Sequence, residues 1–326
     1  MTGRWGAGIE IGGTKLQLGV GRGDGKIVAL ERLAIDPARQ AEGIRRQIVE
    51  AFPRLLDAAG IARGAVSAVG FGFGGPVNAD RGRVERSYQV EGWEDFPLAE
   101  WACEHLGVPS AVLHNDADSA GLAEARFGAG VGRAPLLYVT VGSGIGGAII
   151  IDDRIYRGFG KGAGEIGHLL VPDFRGEGPA CSLAELEQVA SGWAIARDGQ
   201  RLADSGRLDP ARLGGETGPV TGWMVAEAAR RGHPEAAGII DRAQKALGLA
   251  LAQAVALAAP RRIVIGGGVS LMGEPWFASV RRVVNQFVFA PFRGGFDIVP
   301  AALGEEVVVH GALALARDAL TPPVSS

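Results

Sequence analysis

Asn115 and Asp116 close an apolar run, A-V-L-H, and open the segment A-D-S-A-G-L-A-E-A-R-F-G, whose spacing predicts a helix. A carboxylate at such a junction, if aimed into a cleft, can take the proton of a substrate hydroxyl as that hydroxyl attacks a phosphoryl group. The adjacent amide can orient the hydroxyl. Taken alone, Asn-Asp is an ordinary helix cap. Its setting argues for more. It lies between two glycine-rich strand-turn-strand segments, G-I-E-I-G-G-T-K-L-Q-L-G-V from Gly8 to Val20 and Y-V-T-V-G-S-G-I-G-G-A-I-I-I from Tyr138 to Ile151. Turns of this kind present backbone N–H groups with no Cβ in the way, so a phosphate can approach the main chain closely. Two such turns about 130 residues apart suggest two related lobes that share one nucleotide.

Three further groups fit the same chemistry. Glu165 and His168 stand three residues apart in G-F-G-K-G-A-G-E-I-G-H and could hydrogen-bond the vicinal hydroxyls of a sugar. Glu10 immediately precedes the first turn, where a carboxylate could hold a Mg²⁺-bound water, since Mg²⁺ keeps several waters and takes few carboxylates. Gly266-Gly267-Gly268 could let adenine or ribose lie against bare backbone, although a triple glycine by itself is only a turn.

The elements that must position these groups read as mixed α/β. Strands are expected over 7–20 and 26–34, a helix over 38–59 with Ile44, Ile48, Phe52, Leu55 and Leu56 on one side, and a strand over Val66–Phe73. A helix over Leu98–Leu106 and a strand over Ala111–His114 follow, and a second hairpin starts at Leu136. The chain then reads as mostly helical from Ser182 to about Ala258, including alanine-rich Ala236–Ala259. One more strand and glycine turn span Arg261–Ser270, and a final helix spans Gly311–Ala319. Hinges are expected near 117–128 and 304–311. The division is residues 1–117 plus about 305–326 as the first lobe and 118–304 as the second, with ligand groups gathered at strand ends.

Composition agrees with a small-molecule enzyme. The chain has 326 residues, enough for two domains, with 47% hydrophobic and 21% charged residues and a net charge of −3, so no electrostatic footprint for nucleic acid or an anionic membrane is present. Its 52 glycines exceed the average usage of about 7% and show no repeating period, which excludes collagen-like sequence. They are expected at strand ends and turns. Two cysteines, Cys103 and Cys181, exclude a disulfide framework or a four-cysteine metal site. With no signal peptide expected and no run approaching about 18 apolar residues, a cytoplasmic protein with no membrane contact is expected.

The combination resembles the ROK family of bacterial repressors, open reading frames and sugar kinases, within the actin-like ATPase superfamily. The resemblance runs in order through I-E-I-G-G-T-K, G-F-G-F-G-G-P-V-N, N-D-A-D-S-A-G-L-A-E, V-G-S-G-I-G-G-A, G-A-G-E-I-G-H, E-Q-V-A-S-G and I-V-I-G-G-G-V. It implies a two-lobed, ribonuclease H-like α/β fold with the active site in the interdomain cleft. It implies an ATP- and Mg²⁺-dependent hexose kinase, most simply a glucokinase, with a fructokinase or N-acetylhexosamine kinase as alternatives. On this resemblance Asp116 is the general base, and Asn115, Glu165, His168 and Glu187 bind the sugar, with Gly74 and Gly75 lining its pocket. Gly12, Gly13, Thr14 and Lys15 form the first phosphate loop, Thr140, Gly142, Ser143 and Gly144 the second, and Gly266 to Gly268 the adenosine turn. A homodimer is implied.

Two departures are visible. Family members usually hold a structural zinc through the histidine of E-x-G-H and three cysteines of C-x-C-G-x-x-G-C-x-E. Here Gly178, Ala180 and Glu185 stand where those cysteines would, and Cys181 falls one position off, so no zinc is expected. Glu10 replaces the more common Asp. Against a sugar-responsive repressor stands the spacing: only nine residues precede Glu10, whereas a helix-turn-helix needs roughly 60–80. A sugar-binding protein without catalysis is the remaining rival.

Overall fold

The computed structural model describes residues 4–160, 162–174, 182–213 and 218–320. The chain divides into two compact units, the first formed by Met1–Gly132, Ile149–Ala163 and Ala302–Ser326, the second by Arg133–Ala148 and Gly164–Ala301.

The first stretch of chain supplies β1 (Trp5–Ile11), β2 (Lys15–Gly21), β3 (Ile27–Ala34), α1 (Gln40–Ala59), β4 (Val66–Phe73) and the short pair β5 (Val77–Asn78) and β6 (Arg83–Val84). Then come α2 (Leu98–Leu106), β7 (Ala111–Asn115) and α3 (Asp116–Phe127). The sheet order is β3-β2-β1-β4-β7, with β1, β2 and β3 antiparallel and β1, β4 and β7 parallel. Alternation along these strands separates two faces. Ala7, Ile9 and Ile11 of β1, Leu16, Leu18 and Val20 of β2, and Val69, Phe71 and Phe73 of β4 join one core with Ile44, Ile48, Phe52, Leu55 and Leu56 of α1. The five α1 residues are those expected from the helical spacing, and all are buried.

The opposite face is rich in glycine, with Glu10, Gln17 and Ala68 on the same side. Gly6 and Gly8 on β1, Gly19 and Gly21 on β2, and Gly70 and Gly72 on β4 floor a seat for the C-terminal helix α9 (Val307–Ala319). Gly8 and Gly70 are direct partners across the parallel ladder. A Cβ at Gly8 would lie 2.6 Å from the Val309 carbonyl oxygen, and one at Gly70 would fall on the Ala312 carbonyl oxygen. Many glycines that the sequence suggests for turns therefore lie inside strands, where main chain approaches main chain.

The second stretch supplies β8 (Leu136–Val141), β9 (Ile145–Ile151), β10 (Arg154–Ile155), β11 (Leu170–Pro172), β12 (Leu183–Glu185), α4 (Glu187–Ala190), α5 (Gly192–Asp204), α6 (Gly222–Arg230) and α7 (Pro234–Ala258). It ends with β13 (Arg262–Gly266), α8 (Glu274–Phe287) and β14 (Asp297–Pro300). The second sheet has the order β10-β9-β8-β13-β14, with β8, β13 and β14 parallel. Position by position this repeats the first sheet, a three-strand meander followed by two parallel additions.

Several elements differ from the sequence reading. Residues 183–185 form a strand paired with β11 rather than helix, α9 starts four residues before Gly311, and α8 and β14 were not expected. The α8 stripe Trp276, Phe277, Val280, Val283 and Val284 is buried. Helix α3 runs unbroken through 117–127 and packs on α9 within the first unit. Its buried Glu124 accepts hydrogen bonds from the backbone N–H groups of Ala129 (2.7 Å), Ala302 (2.9 Å) and Leu303 (2.9 Å). One carboxylate thus anchors the residues after α3 and those leading into α9.

Candidate functional site

In the first unit, β7 delivers Asn115 and Asp116 to the end of the parallel part of the sheet. Asn115 is the N-cap of α3: its Oδ1 accepts from Ala117 N at 2.8 Å, and its Nδ2 donates to the Gly75 carbonyl at 3.1 Å. Capping and orientation are therefore combined in one side chain. Asp116 Oδ1 also accepts from Ala117 N at 2.8 Å. Burial, joined by the negative charges of Glu10 and Asp118, pushes the Asp116 carboxyl up to about 7, against the opposing pull of the Ala117 N–H. A carboxyl in that range exchanges its proton near neutral pH, as a general base must.

Gly74 brings the site together. Its N–H donates to the Ile11 carbonyl at 2.8 Å, and a Cβ there would lie 3.4 Å from Asp116 Oδ2 and 3.6 Å from Gly12 Cα. The first glycine turn and the Asp116 carboxylate are thus neighbours, and any side chain at Gly74 would intrude between them. The turn itself is closed by Gly12 N to the Lys15 carbonyl at 2.9 Å, with Gly13 and Thr14 at its tip. Gln89, from the loop after β6, lies directly on Gly13, so a Cβ at Gly13 would collide with its amide. Gln89 carries no motif and was not found from sequence.

Glu10 is engaged on both oxygens. Lys15 Nζ lies 3.2 Å from Oε1, and Gln17 Nε2 donates to Oε2 at 2.7 Å. Burial raises the Glu10 carboxyl above its ordinary range, with Lys15 the main opposing influence. A metal-bound water at Glu10 would use a second lone pair of an oxygen already engaged by Lys15 or Gln17. Among the described residues no group of three His, Cys, Asp or Glu side chains is arranged to hold a metal ion.

In the second unit, Thr140 is the penultimate residue of β8, before Val141, and Gly142, Ser143 and Gly144 make the turn into β9. The turn is held from outside: Gly192 N donates to the Gly142 carbonyl at 2.7 Å and Trp193 N to the Ser143 carbonyl at 3.2 Å. Glu187, first residue of α4, accepts from Ile145 N at 2.7 Å and leaves no room for a Cβ at Gly144. Its carboxylate therefore fixes the turn.

Glu165 and His168 flank a short helical turn and are both exposed. The glycines around them have a packing reason that the sequence does not show. Gly164 has φ +90° and lies against the backbone of Gly147 and Ala148, and a Cβ at Gly167 would fall on the Ile145 carbonyl oxygen. His168 Nδ1 stands 3.5 Å from Glu185 Oε1, so the residue occupying one cysteine position faces the histidine of the motif. Gly178, Ala180 and Cys181 lie outside the described residues. With two cysteines in the whole chain, a three-cysteine set cannot be assembled.

The triple glycine divides its duties. A Cβ at Gly266 would meet Tyr138 Oη at 2.7 Å, and Gly267, with φ +84°, lies against the Val141 backbone, so both are required by packing on β8. Gly268 has open space and lines a cavity of about 1010 Å³ wholly within the second unit. Gly142 and Ser143 line its floor, and Trp193, Trp223 and Trp276 line its walls. Trp193 and Trp223 come from one repeated signal, Ser-Gly-Trp and Thr-Gly-Trp, at two successive helix starts. Ser191 caps α5 by accepting from Ala194 N (3.1 Å), and Thr221 caps α6 by accepting from Met224 N (3.3 Å). The sequence reading passed over this repeat. An apolar, aromatic-walled chamber opening beside a glycine turn suits a planar base joined to phosphates.

Comparison with known proteins gives a consistent answer. The family model described as ROK family matches residues 6–319. A glucokinase of Streptomyces coelicolor is 31% identical over 95% of this chain and 97% of that protein. Among solved structures, a ROK family glucokinase from Streptomyces griseus in complex with glucose and AMPPNP superposes with a TM-score of 0.77 at 31% identity, covering 96% of this chain and 99% of its own. A ROK hexokinase from Thermus thermophilus gives 0.79 at 29% identity, covering 97% and 99%.

Proposed function

The chain belongs to the ROK family, and from that premise we propose that it transfers the terminal phosphoryl group of ATP to a hydroxyl of a hexose, with glucose as acceptor. The observation that carries the proposal is Asp116, a half-buried carboxyl raised to about 7 and adjacent to Gly12 and Gly74. In this reading Asp116 accepts the hydroxyl proton as the oxygen attacks, and Asn115 helps to orient that hydroxyl. Gly74 and Gly75 leave the space the sugar needs, and Glu165, His168 and Glu187 accept from or donate to its other hydroxyls. The turns at Gly12–Lys15 and Thr140–Gly144 offer backbone donors to phosphate oxygens, and the tryptophan-walled cavity beside Gly268 takes the nucleoside. Mg²⁺, held mainly by the phosphates, would neutralise charge on the phosphoryl group. Glu10 would reach it through water.

ADP release from MgATP against glucose, fructose, mannose and N-acetylhexosamines tests this. Turnover with glucose supports it, turnover with another sugar alone transfers the proposal to that acceptor, and silence across the panel overturns it.

A pH profile is also expected. Because Asp116 must be ionised to accept a proton, kcat/KM for the sugar should fall by about tenfold per unit below pH about 7 and level off above it. A flat profile from pH 5 to 8 would remove Asp116 from the role of base.

A further inference from the structure

We propose that Gln89 is a further catalytic residue, its side-chain amide donating to an oxygen of the phosphoryl group held at the tip of the first glycine turn. The proposal rests on the kinase reading above and adds a donor which that reading does not contain. Gln89 reaches Gly13 from the loop after β6: the three atoms nearest a Cβ built on Gly13 all belong to this one side chain. Nothing else lies as close, so Gln89 accounts for the glycine. The amide oxygen is the atom nearest that Cβ and the amide nitrogen is not among the three, so the NH₂ end is turned away from it. The side chain is exposed, and neither end of its amide has a hydrogen-bond partner among the described residues.

The backbone of the loop is fixed on both sides of this residue. Ser87 Oγ accepts from Gln89 N at 3.2 Å and from Val90 N at 3.1 Å, the Glu91 carbonyl accepts from Ala41 N at 2.9 Å, and Val90 and Trp93 are buried in the core. The same loop lies over Gly75, where a Cβ would be 3.0 Å from the Arg86 carbonyl oxygen. Gly12, Gly13, Gly74 and Gly75 thus adjoin one another, with the Asp116 carboxylate beside Gly74 and the Gln89 amide on Gly13. During transfer the sugar oxygen bonds to phosphorus, the bond from phosphorus to the ADP oxygen breaks with its electron pair left on ADP, and the hydroxyl proton goes to Asp116. Gln89 forms no covalent bond and takes no proton. Its N–H offsets charge on the phosphoryl oxygens. It does so beside Lys15, whose Nζ is already paired with Glu10 at 3.2 Å.

Gln89→Leu tests this because it keeps a side chain of similar size and removes the donor. With MgATP and the sugar that the native protein turns over, kcat should fall about 10–100-fold, the loss of one hydrogen bond to a charged group, while the KM for sugar moves by less than about twofold. Gln89→Glu sets a like charge beside the phosphoryl oxygens and should lower kcat further. Binding of MgADP with fluoroaluminate, a mimic of the phosphoryl group in transfer, should weaken by the same factor in Gln89→Leu, and MgADP alone should bind as it does to the native protein. The melting temperature should be unchanged, since the side chain is exposed. A folded Gln89→Leu with native kcat overturns the inference and leaves the Asp116 reading intact, and so does a loss confined to the KM for sugar. Should that variant fail to fold, native kcat in Gln89→Glu overturns it equally. A native protein that phosphorylates no sugar overturns both.

Discussion

Replacing Asp116 with Asn is expected to lower kcat by about 10²–10⁴-fold with little change in the KM for sugar or ATP, because the amide keeps the shape and the hydrogen bond from Ala117 but cannot accept a proton. The same substitution should make the protein harder to unfold above neutral pH. The Asp116 carboxyl is raised in the folded chain to about 7 from an ordinary 3.8. Its contribution to stability is therefore fully present below about pH 3.8 and is lost as pH rises through about 7. At pH 8 the native protein holds a partly desolvated carboxylate that the unfolded chain would solvate freely, and Asn removes that cost. Thermal melting at pH 5 and pH 8 reads this directly: the advantage of Asp116→Asn should widen at the higher pH. Loss of activity with no widening would mean that the carboxyl is already ionised well below neutrality in the fold.

The second large effect concerns packing. Gly70→Val should destabilise the protein by about 3 kcal/mol or more, lowering Tm by roughly 6–12 °C, because its Cβ would fall on the carbonyl oxygen of Ala312 in α9. The obstacle is main chain, which cannot rotate aside. Gly64→Ala is the control, since a Cβ there meets nothing within 4 Å, and it should stay within about 0.5 kcal/mol of the native protein. If the two variants melted together, α9 would not be seated on the glycine face.

These two sites differ in how openly the sequence announces them. Asp116 is legible because its chemistry is carried by its own side chain and by its place between two glycine turns. The α1 stripe and helix Leu98–Leu106 are legible because side-chain periodicity reports which face is buried. A glycine in a strand reports nothing of that kind. Gly6, Gly8, Gly19, Gly70 and Gly72 look like punctuation until α9 is seen lying on them, and that helix sits some 240 to 310 positions away in the chain, whereas Gly21 is constrained chiefly by the nearby Lys26 carbonyl. The same blindness hid the packing duties of Gly164, Gly167, Gly266 and Gly267. The tryptophan cavity was missed for another reason. Trp193, Trp223 and Trp276 are scattered along the chain and meet only through the folding of α5, α6 and α8, although the Ser/Thr-Gly-Trp repeat was there to be read. Residues 183–185 were misread because a three-residue strand is too short to display its alternation.

The glycine seat also bears on how the protein is made. The strands β1, β2 and β4 are made well before the helix that covers their glycine face, Val307–Ala319. Throughout synthesis of the intervening segment, Gly6, Gly8, Gly19 and Gly70 lack the helix that packs on them, and a ribosome that stalls before residue 307 leaves that part of the sheet uncovered by α9. Such fragments should therefore be captured by chaperones or degraded. That face of the sheet can close only once Val307–Ala319 has been made.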